Sequence, residues 1–190
     1  ADACQSAGRY DTETSVLETA LKLFPDDIEF IWRQARLALT KRDTGEANGI
    51  LLKYNNLCRR SAVPESMIME NLGSLYEEID SLNKAEEYYR QALKLDPDNA
   101  SRMNQLSYFL IDKDRNIAEG WELVNKAMIL DNKNINFLHT KGWGLFKQGK
   151  YKEAIDLLEK CWDLSPSYSS YNVYFQLQEA KKAVAKQKIN

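Results

Sequence analysis

The chain has 190 residues, of which 44% are hydrophobic and 28% charged, and its formal net charge is −2. This length and apolar content suffice to bury a continuous core, and the charged fraction is typical of an ordinary soluble surface. Because the net charge is near neutral, the surface lacks the excess of basic residues typical of nucleic-acid binding, and we expect no nucleic-acid partner. No apolar run reaches transmembrane length, so we expect no direct membrane insertion.

Residues 1–27 are predicted to form an incomplete helix hairpin. The tripeptide Gly8-Arg-Tyr aligns with Gly149-Lys-Tyr, which places the turn into a second helix at Gly8. The chain would then start inside a hairpin. We therefore expect it to be a fragment of a longer protein.

Proline-terminated segments recur along the chain and define a repeat. Leu23-Phe-Pro, Leu95-Asp-Pro and Leu164-Ser-Pro each end a helix, at spacings of 72 and 69 residues. The first spacing equals two periods of about 34 residues plus four residues, and the second equals two such periods plus one residue. A period of about 34 residues is known for helical repeats. A fourth copy falls at Leu130, with Asn132 in place of the proline.

Within each repeat, apolar residues fall on one stripe of a helix. Small residues at Gly73, Ala85 and Ala154 stand opposite large ones such as Tyr76 and Tyr89. This pattern predicts close-packed antiparallel helices. No long segment alternates with a period of two, so no sheet is expected.

The repeats resemble the tetratricopeptide repeat (TPR) family. In residues 66–99, the family pattern of L-G-x2-Y, A-x3-F and a closing proline is matched by Leu72, Gly73, Tyr76, Ala85, Tyr89 and Pro97. Four full repeats follow in phase: 28–61, 66–99, 100–134 and 135–168. The resemblance implies an all-α fold, a right-handed α-solenoid of stacked antiparallel helix hairpins.

The last segment, residues 169–190, is predicted to be a capping helix. Val173, Leu177, Ala180 and Val184 share one stripe, while the lysines lie largely off it. Such a helix would seal the last hairpin with its apolar side and present a polar side to water. Residues 1–190 are thus predicted to form a single TPR array.

The residue types that support catalysis or metal binding are sparse. Cys4, Cys58 and Cys161 are too scattered for a disulfide framework or a zinc site and are interpreted as small buried residues. His139 is the only histidine and has no local catalytic partners. The sequence predicts no enzyme activity and no cofactor.

The family resemblance implies a concave groove lined by the first helix of each hairpin, where a peptide or partner protein would bind. Transferred to this chain, the groove residues are Trp32, Arg33, Arg36, Glu70, Asn71, Ser74, Asn104, Gln105, Tyr108, His139 and Trp143. An alternative for Trp143 and Phe146 is packing against the capping helix.

One familiar TPR function can be checked in the sequence. TPR domains that clamp the carboxy-terminal carboxylate of heat-shock chaperones carry a set of lysine, asparagine and arginine residues. Asn71 matches that set, but Trp32 and Arg36 stand where lysine and asparagine belong, and Ser101 and Gln105 replace the basic pair. Chaperone tails are therefore not the predicted ligand.

The segment from His139 to Tyr151 and the terminal Glu179-Ala-Lys-Lys-Ala-Val helix resemble the carboxy-terminal part of tandem TPR proteins of bacteria, including those of Bacteroidetes. That resemblance implies a cell-envelope or periplasmic protein. Two hypotheses stay open: a scaffold that binds a protein ligand in its groove, or a spacer or oligomerisation module whose ligand site lies upstream.

Overall fold

The computed structural model describes residues 2–164 and 171–187, and all regular secondary structure in these ranges is helical. The helices in chain order are α1 Asp2–Leu23, α2 Ile28–Thr40, α3 Thr44–Arg60, α4 Glu65–Glu78, α5 Leu82–Leu95, α6 Ala100–Asp112, α7 Ile117–Leu130, α8 Ile135–Lys147, α9 Tyr151–Leu164 and α10 Tyr171–Gln187. The predicted all-α fold is confirmed.

The chain divides into two compact units, an N-terminal unit of residues 1–85 and a C-terminal unit of residues 86–190. In the N-terminal unit, α2 and α3 form a hairpin, α1 packs against α2, and α3 contacts α4. In the C-terminal unit, α6 pairs with α7 and α8 with α9, while α10 packs against α9 and touches α8. The single array spanning both units stays a prediction.

Side-chain caps start the first helices of three hairpins. Asp27, Asn99 and Asn134 precede α2, α6 and α8, and each accepts a hydrogen bond from a backbone N–H of the first turn at 3.0–3.1 Å. A cap of this kind contributes about 1 kcal/mol to helix stability. Asparagine and aspartate are among the residues preferred at this position, because their side-chain oxygen can accept such a bond.

A left-handed residue follows each of the helices α2, α4, α6 and α8. Arg42, Asp80, Asp114 and Gly149 have φ between 51° and 78° and follow one another at intervals of 38, 34 and 35 residues. Each is followed by a residue whose N–H bonds back across five residues, to Ala38, Tyr76, Leu110 and Leu145 in turn. This Schellman geometry satisfies helix-end carbonyls, which makes the strained φ of the three non-glycine residues tolerable.

The interval from Leu23 to Leu95 is four residues longer than two repeats, and most of this excess lies in α3. This helix has 17 residues, whereas the second helices α5, α7 and α9 have 14 each. It ends at Arg60. Ala62, two residues later, has a φ of 56°, and Pro64 then precedes α4. Lengthening a helix by about one turn absorbs the insertion while α2 and α3 still pair.

The turn predicted at Gly8 is wrong. α1 runs without a break from Asp2 to Leu23, a length of 22 residues. A glycine inside a helix costs only about 1 kcal/mol relative to alanine. Breaking the helix at Gly8 would leave more backbone groups without their helical hydrogen bonds, so the continuous helix is favoured.

The predicted small and large residues are both buried. Ala85 and Ala154 have no exposed surface, and Tyr89 retains only 2%. At Gly142 an added Cβ would lie 3.1 Å from Cγ of Leu158, so α8 and α9 approach closely there. Backbones that come this near need small residues at the crossing.

Substituting alanine for glycine should change the free energy of unfolding in opposite directions at two positions. At Gly120 an added Cβ would lie 2.7 Å from Ile111 Cγ1 and 3.0 Å from the Ser107 carbonyl oxygen, whereas at Gly49 nothing lies within 4 Å. We expect Gly120→Ala to lower the free energy of unfolding by about 1–3 kcal/mol through overpacking. Gly49→Ala should raise it by about 0.5–1 kcal/mol, because alanine favours the helix. Urea unfolding followed by circular dichroism tests both, and equal effects would contradict the close crossing at Gly120.

Candidate functional site

The predicted groove residues of the N-terminal unit lie off the hairpin core. Ile31, Ala35 and Ala38 of α2 and Leu72 of α4 are buried, each with at most 4% exposure. We define the N-terminal face by the six predicted residues on the same helices, which are half-buried or exposed: Trp32, Arg33, Arg36, Glu70, Asn71 and Ser74.

Two residues of the N-terminal face meet at a buried tyrosine of α3. The Trp32 ring centroid lies 5.1 Å from that of Tyr54, and the Asn71 amide nitrogen donates to the Tyr54 hydroxyl at 2.9 Å. Tyr54 is 2% exposed, and its burial raises its pKa to about 12. It is therefore a neutral phenol that fixes the positions of Trp32 and Asn71.

The charged residues of this face are held by neighbouring carboxylates. Arg33 pairs with Glu29 one turn earlier in α2, with Nε 2.9 Å from Oε1. Arg36 pairs with Glu13 of α1. Both guanidinium groups keep part of their surface exposed, so these pairs contribute little stability and can be exchanged for a ligand.

The C-terminal face consists of the predicted residues on α6 and α8: Asn104, Gln105, Tyr108, His139 and Trp143. The Gln105 amide nitrogen donates to the hydroxyl of Tyr89 at 3.2 Å, and Tyr89 lies against Phe109 with ring centroids 5.4 Å apart. Asn104 Oδ1 is buried and has no hydrogen-bond partner in the described part of the chain.

Tyr108 and His139 are joined by a glutamine from α10. The rings lie 5.6 Å apart between centroids. His139 Nε2 lies 2.7 Å from Gln176 Oε1, and the Gln176 amide nitrogen donates to the Tyr108 hydroxyl at 3.2 Å. Since Gln176 is 3% exposed, α10 covers this part of the C-terminal face.

Trp143 is the most enclosed of the predicted groove residues. It is 7% exposed, and its Nε1 donates to Asp112 Oδ1 at 3.0 Å. Its ring stacks on Phe146 with centroids 4.5 Å apart and an interplanar angle of 5°. Phe146 also packs against the cluster formed by Leu158 with two residues of α10, as the alternative interpretation of these aromatics anticipated.

The environment of His139 predicts a pH dependence of stability. Burial lowers its pKa below the ordinary value of about 6.5, outweighing the hydrogen bond to Gln176 and the charge of Asp112, which both raise it. Because the unfolded chain binds the proton more readily, this stability is fully present above about pH 6.5 and is lost as the pH falls toward the folded pKa.

We therefore expect the wild-type chain to lose more stability than His139→Gln between pH 7.5 and 5.5, by at most about 1.4 kcal/mol per pH unit. Urea unfolding at several pH values measures this difference. An NMR titration of the single histidine gives its folded pKa directly, and a pKa above 6.5 would contradict the prediction.

The structure adds functional candidates that the sequence pattern did not indicate. Gln176 is one of them, although a signal was present: it is a polar residue adjoining the apolar stripe of Val173 and Leu177. Tyr54 is another, and the sequence carries no sign that its hydroxyl reaches Asn71 of a different helix. Both examples are contacts between helices that the repeat pattern does not encode.

The thiols among the described side chains are buried. Cys58 and Cys161 are buried free thiols, as predicted, and burial raises the pKa of Cys161 to about 11. Cys4 lies outside the residues whose side chains are described. No three potential metal ligands converge in the described part of the chain. None of its helices combines the length and hydropathy needed to cross a bilayer.

Comparison with known families decides the identity of the repeat. The family described as tetratricopeptide repeat matches residues 68–99 and 135–168. These ranges correspond to the second and fourth predicted repeats, and each contains two helices in sequence joined by the left-handed turn described above.

The chain contains tetratricopeptide repeats.

Its relatives agree with this assignment. The TPR repeat-containing protein PA4667 of Pseudomonas aeruginosa is 26% identical over 168 residues, which cover 88% of this chain and 28% of that protein. This TPR chain therefore spans about a quarter of the length of that relative.

Solved TPR structures share the fold. A tetratricopeptide repeat protein from Parabacteroides merdae superposes with a TM-score of 0.61 at 16% identity, covering 95% of this chain and 69% of that one. The first TPR of Spaghetti (RPAP3), solved with the HSP90 peptide SRMEEVD, gives a TM-score of 0.53 at 18% identity over 64% of this chain and 94% of that one. The TPR fold is confirmed, whereas the specific resemblance to Bacteroidetes proteins stays a prediction.

Proposed function

We propose that this TPR chain is a protein-interaction module that holds a peptide or an extended segment of a partner on the first helices of its hairpins. The observation that carries the proposal is the separation of two sets of residues. One set of buried apolar residues fills the hairpin cores. The other set, which comprises all predicted groove residues except Trp143, keeps accessible surface.

The N-terminal face has the better chemistry for this task. Trp32 offers a partly exposed ring, Glu70 a carboxylate, and Arg33 and Arg36 guanidinium groups in exchangeable ion pairs. Aromatic rings and arginines are the side chains most often found at the energetic centre of protein interfaces. The C-terminal face contributes less, because its polar groups other than Asn104 are already engaged: Gln176 bonds to Tyr108 and His139, Asp112 to Trp143, and Tyr89 to Gln105.

The solved relative bound to an HSP90 peptide supports peptide binding by a TPR fold of this kind. This chain lacks most of the residues that clamp a carboxy-terminal carboxylate, so a different peptide chemistry is proposed. The proposed interaction involves no catalytic step.

A matched pair of variants tests the N-terminal face. Arg33→Glu with Ser74→Glu alters two exposed positions on the face, and Arg60→Glu with Asn56→Glu makes the same charge change at exposed positions of α3. Peptides would be selected on the wild-type chain from a random-sequence phage library, and their dissociation constants measured on all three proteins. We expect the face variant to bind about tenfold more weakly and the α3 variant to match the wild type.

Circular dichroism melts establish that both variants are folded. Equal binding by the two variants would contradict the proposed face. If no peptide is enriched on the wild-type chain, the alternative of a spacer or oligomerisation module is favoured, and sedimentation velocity would then determine whether the chain self-associates.

A further inference from the structure

A cavity of about 240 Å³ opens in the N-terminal unit beside the N-terminal face. It is formed where α1, α2 and the end of α4 meet, and its lining residues are Glu13, Arg36, Leu37, Thr40, Glu78 and Ile79. Neither the repeat pattern nor the proposed function accounts for this cavity, since of its lining only Arg36 belongs to the predicted groove.

The charges around the cavity favour a cation. The Arg36 guanidinium is already paired with Glu13, so these two groups offset each other. Glu78 is exposed and has no ion-pair partner among the described residues, which leaves the lining with a formal charge of −1. The adjacent Lys41 does not line the cavity, and its ammonium donates to the Thr14 hydroxyl at 3.1 Å.

An anionic ligand would fit this arrangement poorly. Although the Arg36–Glu13 pair is weak enough to exchange, an anion that replaced Glu13 on Arg36 would add a negative charge to a lining that already contains the Glu13 and Glu78 carboxylates, and like charges repel. A cation instead meets two lining carboxylates, that of Glu78 and that of Glu13, whose Oε1 contacts Arg36. The cavity therefore selects positive charge even though an arginine forms part of its wall.

The walls also suit an aliphatic chain. Leu37 is 7% exposed and Ile79 half-buried, and together they provide an apolar surface beside the carboxylates. Lysine and arginine side chains pack their methylene groups on such surfaces while the charged end remains at a polar rim. We infer that this cavity receives a basic side chain of the bound partner, an inference that rests on the proposed function.

NMR titration with small probes tests the cavity without the unidentified partner. The probes are Nα-acetyl-lysine methylamide, its uncharged norleucine counterpart, and the corresponding glutamate derivative. We expect the lysine probe alone to shift backbone amide signals of residues 36–40 and 78–79. Glu78→Gln should weaken its binding about two- to fivefold, the range for an exposed charge pair. Glu18→Gln, an exposed position of α1 outside the cavity, should leave binding unchanged.

A third variant distinguishes a cavity that prefers a cation from one that prefers an anion. Arg36→Gln should strengthen binding of the lysine probe, because it releases the Glu13 carboxylate. Equal shifts with norleucine and lysine would overturn the inference, since charge would then be irrelevant. Stronger binding of the glutamate probe, lost in Arg36→Gln, would overturn it in favour of an anion site. No shift with any probe would also overturn it, whereas the phage selection would still decide the proposed function separately.

Discussion

Replacing Leu158 by alanine is expected to lower the free energy of unfolding of the C-terminal unit by about 2–5 kcal/mol. Leu158 has no exposed surface and forms one cluster with Leu177 and Ala180 of α10. It also lies against Gly142 of α8, so its side chain fills the space shared by three helices. Truncation removes buried methyl groups and leaves a cavity that these close-packed helices cannot readily fill.

Leu164→Ala on the same helix is the control for this prediction. Leu164 is 53% exposed, so its truncation should change stability by less than about 0.5 kcal/mol. Urea unfolding gives both values. Hydrogen exchange should place the loss of protection caused by Leu158→Ala in α8–α10, because repeats couple mainly to their neighbours. Similar effects of the two substitutions would show that the buried face of α9 is misassigned.

Removing α10 is expected to have the other large effect. A chain ending at residue 170 lacks Val173, Leu177 and Ala180, which are 8%, 6% and 0% exposed, and uncovers Leu138 and Leu158. Full burial of an apolar side chain of this size contributes about 1.5–3 kcal/mol before the cost of ordering the helix. We expect the melting temperature to fall by roughly 5–10 °C, since 1 kcal/mol corresponds to a few degrees at this size.

The loss of α10 should also raise aggregation, because an apolar end surface is then exposed to other molecules. Light scattering measures this second consequence. A chain ending at Gln187 keeps all of α10 and serves as the control. If the chain ending at residue 170 stayed monodisperse with an unchanged melting temperature, α10 would be a loosely attached segment with no sealing function.

Features that depend on residues close together in the chain can be predicted from the amino-acid sequence. The helix hairpins follow from apolar spacing, the cap at Asn99 from its side chain, and the buried alanines from the contrast with nearby tyrosines. All of these are encoded within one repeat of about 34 residues. The exception was Gly8, where a local match to Gly149 predicted a turn that the continuous α1 does not contain.

The availability of each predicted groove residue to a partner depends instead on contacts between distant parts of the chain. Gln176 reaches Tyr108 across 68 positions of the chain, Trp143 reaches Asp112 across 31, and Arg36 reaches Glu13 across 23. A repeat pattern specifies which side of a helix a residue occupies, but not which side chain of another helix meets it there. That meeting depends on how helices pack, because packing sets the distances between side chains that are remote in sequence.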